Sequence, residues 1–320
     1  MEGVRQPAVA GLFYPSRARE LAAAIDRLLA EANAMAASNA PPPKAIIAPH
    51  AGYVYSAPVA ARAYATLAAS HGRIRRAVVI GPAHYVWFEG VAAPSSATFE
   101  TPLGALPVDR SAIEALRELP FVGVADAPHV REHSLEVQLP FLQRLLGEVE
   151  IVPLLVGDAR REDVAGVLAR LWRGEETTIV VSSDLSHYHD TDTARRCDAA
   201  TADAIERGDG SRLGPDDACG FLPIAGLLAE ACSRGLKARR LDLRNSGDTV
   251  GPKDRVVGYG AWCFEQSPDA HSPPVPRNDR QWHKSDLAEA RCLFRYRVIR
   301  GTKHMRIRDE RRRNRARSRF

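Results

Sequence analysis

Short apolar runs alternate with amphipathic stretches through most of this chain, and that alternation is the feature that most constrains its fold. The apolar runs read as strands at 44–47, 76–80, 150–156, 177–181, 238–243 and 256–264. Helical spacing of apolar residues predicts helices at 17–35, 58–69, 134–146, 163–172, 193–207 and 221–234. Several runs are continuously apolar, which is typical of strands covered on both faces. The pattern predicts an α/β protein, a three-layer α/β/α domain with a mostly parallel central sheet.

Composition excludes several classes of protein. Of the 320 residues, 45% are hydrophobic and 26% charged, values that exclude a mainly disordered or fibrous chain. The longest apolar stretch, 221–229, is far shorter than the roughly 20 residues of a membrane span. The N-terminus lacks a secretory signal pattern, and five cysteines without CxxC spacing do not suggest a disulfide framework. We therefore expect a cytoplasmic protein without a membrane span.

The basic charge is confined to the C-terminal end of the chain. From residue 266 onward there are 16 Lys and Arg against 6 Asp and Glu, whereas the whole chain carries a net charge of +5. Residues 1–265 are therefore net acidic and form the predicted α/β domain. Residues 266–320 are predicted to be a basic, disordered extension. We expect a solvated tail rather than one that contacts nucleic acid, because charge runs usually mark such tails.

Polar residues follow three of the apolar runs at the point where each run ends. His50 follows the first run, His84 the second, and Asp184 and His187 the run at 177–181. In an open, mostly parallel sheet the carboxyl ends of the strands line one edge, where ligands bind. The sequence therefore predicts that these four side chains share one rim.

Two histidines with one carboxylate form the facial arrangement that holds non-heme Fe(II). Imidazole also binds zinc, copper and nickel, so the residue types alone do not fix the metal. Either histidine taken singly has a structural interpretation, as a hydrogen-bonded residue at the end of a strand. The pair on equivalent loops favours a site.

Two further segments carry candidate residues. His133 is a candidate for lining the rim and His129 a weaker one, although HxxxHxxE is not the HExxH zinc signature. Glu136 would be either a first-turn residue of a helix or a site residue. The turn at 245–249 needs no function, yet its Asp248 would supply a carboxylate ligand.

A nucleophilic mechanism has less support. Ser182 and Ser183 lie near His187 in the sequence, but no GxSxG elbow is present. Cys219 stands at a predicted helix start, where the dipole lowers the pKa of a thiol. A buried small hydrophobe is the commoner role of such a cysteine, and we expect that role here.

Six motifs of the chain form a recognisable set, at 10–15, 48–53, 81–84, 132–141, 182–188 and 245–249. Together they resemble the Memo family, whose prokaryotic members are called AmmeMemoRadiSam system protein B. The similarity runs from about Gln6 to Phe264, and the basic extension lies outside it.

The resemblance implies a fold like that of class III extradiol dioxygenases and a metal site. Similar proteins bind iron or copper through two histidines and a cysteine. The two histidines map to His50 and His84, and the cysteine maps at or beside Thr249, so the thiolate is expected to be missing. Either Asp248 replaces it with a carboxylate or metal binding is weakened. The family's His-His after Gly-Pro is altered here to His84-Tyr85.

The leading hypothesis is a cytoplasmic, metal-dependent redox protein with a non-heme iron site. His50, His84 and Asp248 would hold Fe(II), with copper or zinc as the alternative metals. Whether the protein turns over a substrate, as a dioxygenase-like oxidoreductase would, is left open by the sequence.

Acid/base and partner roles complete this hypothesis. His187 and His133 would move protons or orient a substrate, and Asp184 would orient His187 or serve as an alternative ligand. The expected ligand is a small molecule or a peptide, and the resemblance implies AMMECR-type and radical SAM proteins as partners. Two alternatives use the same cleft, a metal-assisted hydrolase and a non-enzymatic binding module.

Overall fold

The computed structural model describes residues 3–34 and 41–266, and the backbone of a short strand near the C-terminus. The described α-helices are α1 (Ala18–Ala34), α2 (Tyr53–Ala65), α3 (Arg110–Leu116), α4 (Leu139–Leu146), α5 (Arg161–Leu171), α6 (Thr191–Glu206) and α7 (Phe221–Ser233). The described strands are β1 (Val4–Arg5), β2 (Ala45–Ala48), β3 (Arg76–Pro82), β4 (Val86–Phe88), β5 (Val91–Ala93), β6 (Thr98–Thr101), β7 (Gly104–Pro107), β8 (Val122–Val124), β9 (Glu150–Val156), β10 (Thr177–Ser182), β11 (His187–His189), β12 (Leu236–Asn245), β13 (Val256–Gln266) and β14 (Tyr296–Val298).

The central sheet is parallel in its middle and antiparallel at its flanks. The strands β2, β10, β3 and β9 lie side by side in that order and run parallel. Next to β2 lies the antiparallel β13, whose outer edge pairs with β12, and β5 pairs antiparallel with β9. Every residue of β2 and β10 is buried, as their continuously apolar sequences predict. The predicted α/β class is confirmed, with a mixed sheet.

Two groups of helices cover the sheet. The helices α1, α2 and α4 pack on one another, and α2 contacts β2 and β13. The helices α5 and α7 pack together, and α7 contacts β3 and β10. In α1 the buried positions are Leu21, Ile25, Leu29 and Ala32, so one face at helical spacing meets the core.

Two predicted helices differ from the observed ones, and both differences involve proline. The helix α2 begins at Tyr53, five residues before the predicted start, and Pro58 lies inside it. A proline there removes only one backbone donor, so the carbonyl of the exposed Val54 loses its helical partner without being buried. The predicted helix 134–146 is a 3₁₀ turn followed by α4, with Pro140 in the first turn.

The N-terminal segment is fixed to the body by one buried carboxylate. Glu136 accepts hydrogen bonds from the backbone N–H of Ala8 (2.7 Å) and Val9 (3.0 Å) and from the Tyr14 hydroxyl (2.6 Å). It also forms a buried ion pair with Arg5. Glu136 lies in the first turn of the 3₁₀ helix that precedes α4, one of the two positions considered from the sequence, and its carboxylate is a structural anchor.

The structure describes four residues of the predicted C-terminal extension. Gln266 ends β13, and Tyr296–Val298 form β14, which pairs antiparallel with β4. The rest of the extension lies outside the described residues, and the predicted boundary at 265/266 stays a prediction. Among the helices that the structure describes, none has the length and apolar character needed to cross a bilayer.

Candidate metal centre

Three histidines meet at the carboxyl ends of the central strands. His50 follows β2, His84 follows β3, and His133 lies in the segment between β8 and α4. One ring nitrogen from each lies within 4.8 Å of the others. The ring centroids are 5.3 Å apart for His50 and His84, and 4.6 Å for His84 and His133. The structure thus brings the first two histidines together, with His133 as a third.

A hydrogen-bond chain fixes the tautomer of His50. Its Nδ1 lies 2.9 Å from the Ser182 hydroxyl oxygen, which donates its only proton to the Ser134 carbonyl (2.5 Å). The Gln138 amide also donates to that hydroxyl oxygen (2.8 Å). Because the Ser182 proton is committed, Nδ1 of His50 must carry the proton and donate it. Nε2, which faces Cys219, is then the ring nitrogen that a metal ion would bind.

Glu132 holds the other two histidines. Its carboxylate accepts from Nδ1 of His84 (2.8 Å), from the His84 backbone N–H (2.6 Å) and from the N–H groups of His133 and Ser134 (3.0 Å each). Although burial opposes ionisation, His84 lowers the pKa of Glu132 far below its usual range. Because Nδ1 of His84 is turned to this carboxylate, Nε2 is the nitrogen at which a metal ion would replace the proton, a common arrangement behind metal-ligating histidines.

Charge and burial act in opposite directions on His84 and His133. Burial lowers the pKa of His84, but the Glu132 carboxylate and Cys219 together outweigh burial and raise that pKa well above its usual range. For His133, burial and then the neighbouring His50 and His84 lower the pKa to about 3. His133 is therefore neutral at physiological pH, the form that binds metals.

A thiol completes this group. Sγ of Cys219 lies 3.3 Å from Nε2 of His50, and the Asp184 backbone N–H donates to it at 3.3 Å. Burial alone would raise the pKa of Cys219, but His50 and then His84 lower it to about 6. The thiol is therefore largely thiolate at neutral pH.

Close backbone packing positions this thiol. Cys219 comes just before Gly220, the N-cap of α7, and its N–H donates to the Asp184 carbonyl at 3.3 Å. A Cβ on Gly220 would lie only 2.7 Å from the Ser183 hydroxyl oxygen and 2.9 Å from the Ser182 carbonyl oxygen. Glycine at 220 therefore lets the start of α7 approach the loop after β10.

Comparison with known proteins identifies the family. A profile described as "Memo-like protein" matches residues 5–263. The chain belongs to the Memo family. A MEMO1 family protein of Thermotoga neapolitana is 37% identical over 80% of this chain and 98% of its own length. Those of Aquifex aeolicus and Nitrosopumilus maritimus are 34% and 32% identical, each over 82% of this chain and 99% of their own length.

Within this Memo-family chain, a cysteine that the resemblance did not point to lies beside the histidines. The resemblance placed the family's cysteine at or beside Thr249, which lies at the end of the turn after β12. The structure instead places Cys219 beside His50, from the loop before α7. The sequence does contain a signal for Cys219, a cysteine before a glycine at the start of a predicted helix. The expectation that site residues follow the ends of strands does not apply to a helix start.

Asp248 is not among the groups that meet at the histidines, contrary to expectation. Its carboxylate accepts from the Asn245 backbone N–H (3.0 Å) and from Arg195 (2.9 Å). The turn that carries it follows β12, and β13 lies between β12 and β2. Asn245 pairs with Gly258 of β13, and Gly258 pairs in turn with the loop after β10, so about 10 Å separates the start of this turn from that loop. It shares the edge of the sheet but lies too far to one side.

Asp184 and His187 lie behind and beside the three histidines. The buried Asp184 carboxylate accepts from the His50 backbone N–H at 2.7 Å, and burial raises its pKa. His187 is half-buried on β11, paired with Val257, and its charge acts on Asp184. In the part of the chain that the structure describes, His187 is not one of the side chains whose ligand atoms meet.

His129 belongs to the core rather than to the rim. Its Nε2 lies 3.2 Å from the Ala92 carbonyl, and its ring meets Phe99 edge-on. Burial lowers the pKa of His129 to about 4, so the ring is neutral at physiological pH.

The donor set fits a transition metal. Imidazole suits zinc, copper and iron, and a thiolate excludes the hard cations Mg²⁺ and Ca²⁺, which require oxygen ligands. The residues that could hold such an ion are His50, His84, His133 and Cys219.

Proposed function

We propose that this Memo-family protein is a metal-binding redox protein in which His50, His84 and Cys219 hold Fe(II), with His133 beside them. The observation that carries the proposal is the position of the Cys219 sulfur, 3.3 Å from Nε2 of His50, the ring nitrogen that is not turned to Ser182. Copper is the main alternative metal, because two imidazoles and a thiolate also suit it, and zinc is a further one. When bound, iron or copper would supply one-electron chemistry and an open position for a small ligand.

The surrounding residues hold the ligand atoms and move protons. Ser182 and Glu132 keep a proton on Nδ1 of His50 and of His84, so that Nε2 of each ring is the atom that a metal ion would bind. The Asp184 N–H stabilises negative charge on the Cys219 sulfur. His187, beside the Asp184 carboxylate, would exchange protons with a bound ligand.

The proposal extends to cellular context. Membership of the family supports a role in the AmmeMemoRadiSam system, with AMMECR-type and radical SAM proteins as partners and a small molecule or peptide as the ligand of the cleft. A cytoplasmic location agrees with this, because a thiolate ligand requires Cys219 in its reduced form.

Metal analysis of protein purified without oxygen tests the proposal. Elemental analysis would compare wild type with His50→Ala, His84→Ala and Cys219→Ser. Asp248→Ala is the matched control, since its carboxylate is paired with Arg195 away from the histidines. We expect near-stoichiometric metal in wild type and control and at least a tenfold loss in the three site variants. Unchanged metal in both histidine variants would refute the assignment.

Spectroscopy of the same samples separates the metals. Ferrous protein treated with nitric oxide gives an electron paramagnetic resonance signal, whereas cupric protein gives one without it. Stoichiometric zinc, with turnover that does not depend on oxygen, would contradict the redox proposal and favour a metal-assisted hydrolase.

A further inference from the structure

One edge of the strand β4 is held by the body of the protein. The Asp158 N–H donates to the Phe88 carbonyl (2.8 Å), and the Gly90 N–H donates to the Asp158 carbonyl (2.8 Å). Successive residues of a strand direct their backbone groups to opposite edges. The N–H and C=O of Trp87 therefore face the other edge of β4.

That other edge is paired with the C-terminal extension of the same chain. Arg297 lies opposite Trp87, and Val298 lies opposite Val86, in antiparallel register. Within the described residues, β14 is the strand partner of β4 and pairs with no other strand. Because the pairing is antiparallel, β14 runs toward the end of β4 that adjoins His84.

The strand β4 lies next to the candidate metal centre. Only Tyr85 separates it from His84, and the Tyr85 hydroxyl lies 3.5 Å from Nδ1 of His133. The side chains of Val86 and Phe88 are buried, which fixes β4 in place. A strand added along this edge therefore lies at the rim of the cleft that contains the histidines.

The extension is absent from the region that defines the family. The family profile ends at residue 263, and the relatives match over nearly their whole length while covering only 80–82% of this chain. The 29 residues between Gln266 and Tyr296 could span up to about 100 Å, so the linker does not limit where the strand can reach. Ten Lys and Arg and only two acidic residues follow Val298.

We propose that the edge of β4 that faces away from Asp158 is a strand-accepting surface. Tyr296–Val298 occupies this edge as a strap, which limits access to the cleft of the three histidines and Cys219. Main-chain hydrogen bonds supply the affinity in this mode of recognition, and a tethered segment needs few of them. A three-residue strand is also short enough to open locally without unfolding the domain. The inference concerns access to the cleft and does not depend on which metal it holds.

The test uses full-length, metal-free protein and a thiol reagent. Arg297→Pro removes the backbone donor opposite Trp87, while Arg291→Pro places the same change outside β14 as the matched control. The rate of Cys219 alkylation by N-ethylmaleimide is measured by peptide mass spectrometry. The exposed Cys232, in the last turn of α7, is the internal reference. Hydrogen exchange at the Trp87 amide reports the pairing directly.

We expect Arg297→Pro to raise both Trp87 exchange and Cys219 alkylation by about tenfold. Arg291→Pro and the Cys232 rate should match wild type. Truncation after Gln266, which retains the whole region matched by the family profile, should reproduce the effect of Arg297→Pro. Unchanged Trp87 exchange would overturn the pairing. Faster exchange with unchanged Cys219 alkylation would overturn the strap. Neither result would bear on metal binding, which the elemental analysis measures separately.

Discussion

Two loops that look alike in the sequence have different places in this molecule. The end of β10 and the loop after it, which contain Ser182 and Asp184, lie in the middle of the sheet, and their polar groups are buried and hydrogen-bonded to the loop of His50. The loop after β12, which contains Asp248, lies at the side of the sheet and pairs with Arg195 near solvent. Both follow a strand, and both carry a carboxylate.

The difference shows that whether a residue reaches the site depends on which strand carries it as much as on its lying at the end of that strand. His50 and His84 flank β10 from the strands on either side of it, so their rings converge above it. Asp248 is at the same edge of the sheet but beyond β13. Cys219 reaches the same place from a helix start, which no strand-end rule describes.

The largest expected effect on stability comes from removing the buried carboxylate of Glu132. Glu132→Ala should reduce the free energy of unfolding by about 3–5 kcal/mol, because it leaves several buried donors and His84 without their partner. Asp248→Ala, at the peripheral loop, should cost about 1 kcal/mol or less. Urea denaturation of both variants in metal-free protein measures the difference. Equal losses of unfolding free energy would contradict the distinction between the buried central carboxylate and the peripheral one.

The next largest effect concerns His129, which lies in the core although its segment also carries a residue at the rim. Burial depresses the pKa of His129 in the folded state to about 4, so the unfolded chain binds its proton first as the pH falls. Wild type should therefore lose up to about 3 kcal/mol relative to His129→Gln between pH 6.5 and pH 4. Urea denaturation across this range, on metal-free protein, checks the sign. A constant difference would show that His129 does not titrate in this window.

A smaller effect concerns the glycine that lets α7 approach the central loop. Gly220→Ala should cost about 1–3 kcal/mol, because its Cβ would lie 2.7 Å from Ser183. Gly247→Ala, in the peripheral loop, should cost less, since its nearest neighbours lie at 3.0 Å or beyond. Thermal unfolding compares the two variants. If Gly247→Ala were the more costly, close packing would not distinguish the loops.

The last prediction concerns Ser182→Ala, whose main consequence is on metal affinity. Loss of the hydroxyl leaves Nδ1 of His50 without its acceptor, and we expect metal affinity to fall by 10- to 100-fold. The matched variant is Ser246→Ala, which removes an acceptor of the Val257 N–H in the peripheral loop and should leave affinity unchanged. Competition with a chelator measures both. Equal affinities would remove the argument that Ser182 orients His50.

The strands that form the middle of the sheet were predictable, and several outer elements were not. The runs at 150–156 and 177–181 were predicted almost to the residue, because burial on both faces demands unbroken apolar sequence. The short strands β4 to β8 were missed, because three or four residues are too few to show a period. Pro58 concealed the start of α2, since a proline more often marks a helix end than an interior position.

By itself, the sequence determined the α/β class, the family and the loops that carry His50 and His84, because these follow from local apolar patterns and contiguous motifs. Only the tertiary structure decided that Cys219 and His133 join those histidines while Asp248 does not. The reason is that strand order fixes lateral distances, with about 4.8 Å added for each intervening strand, and strand order is not written in any local segment of the chain.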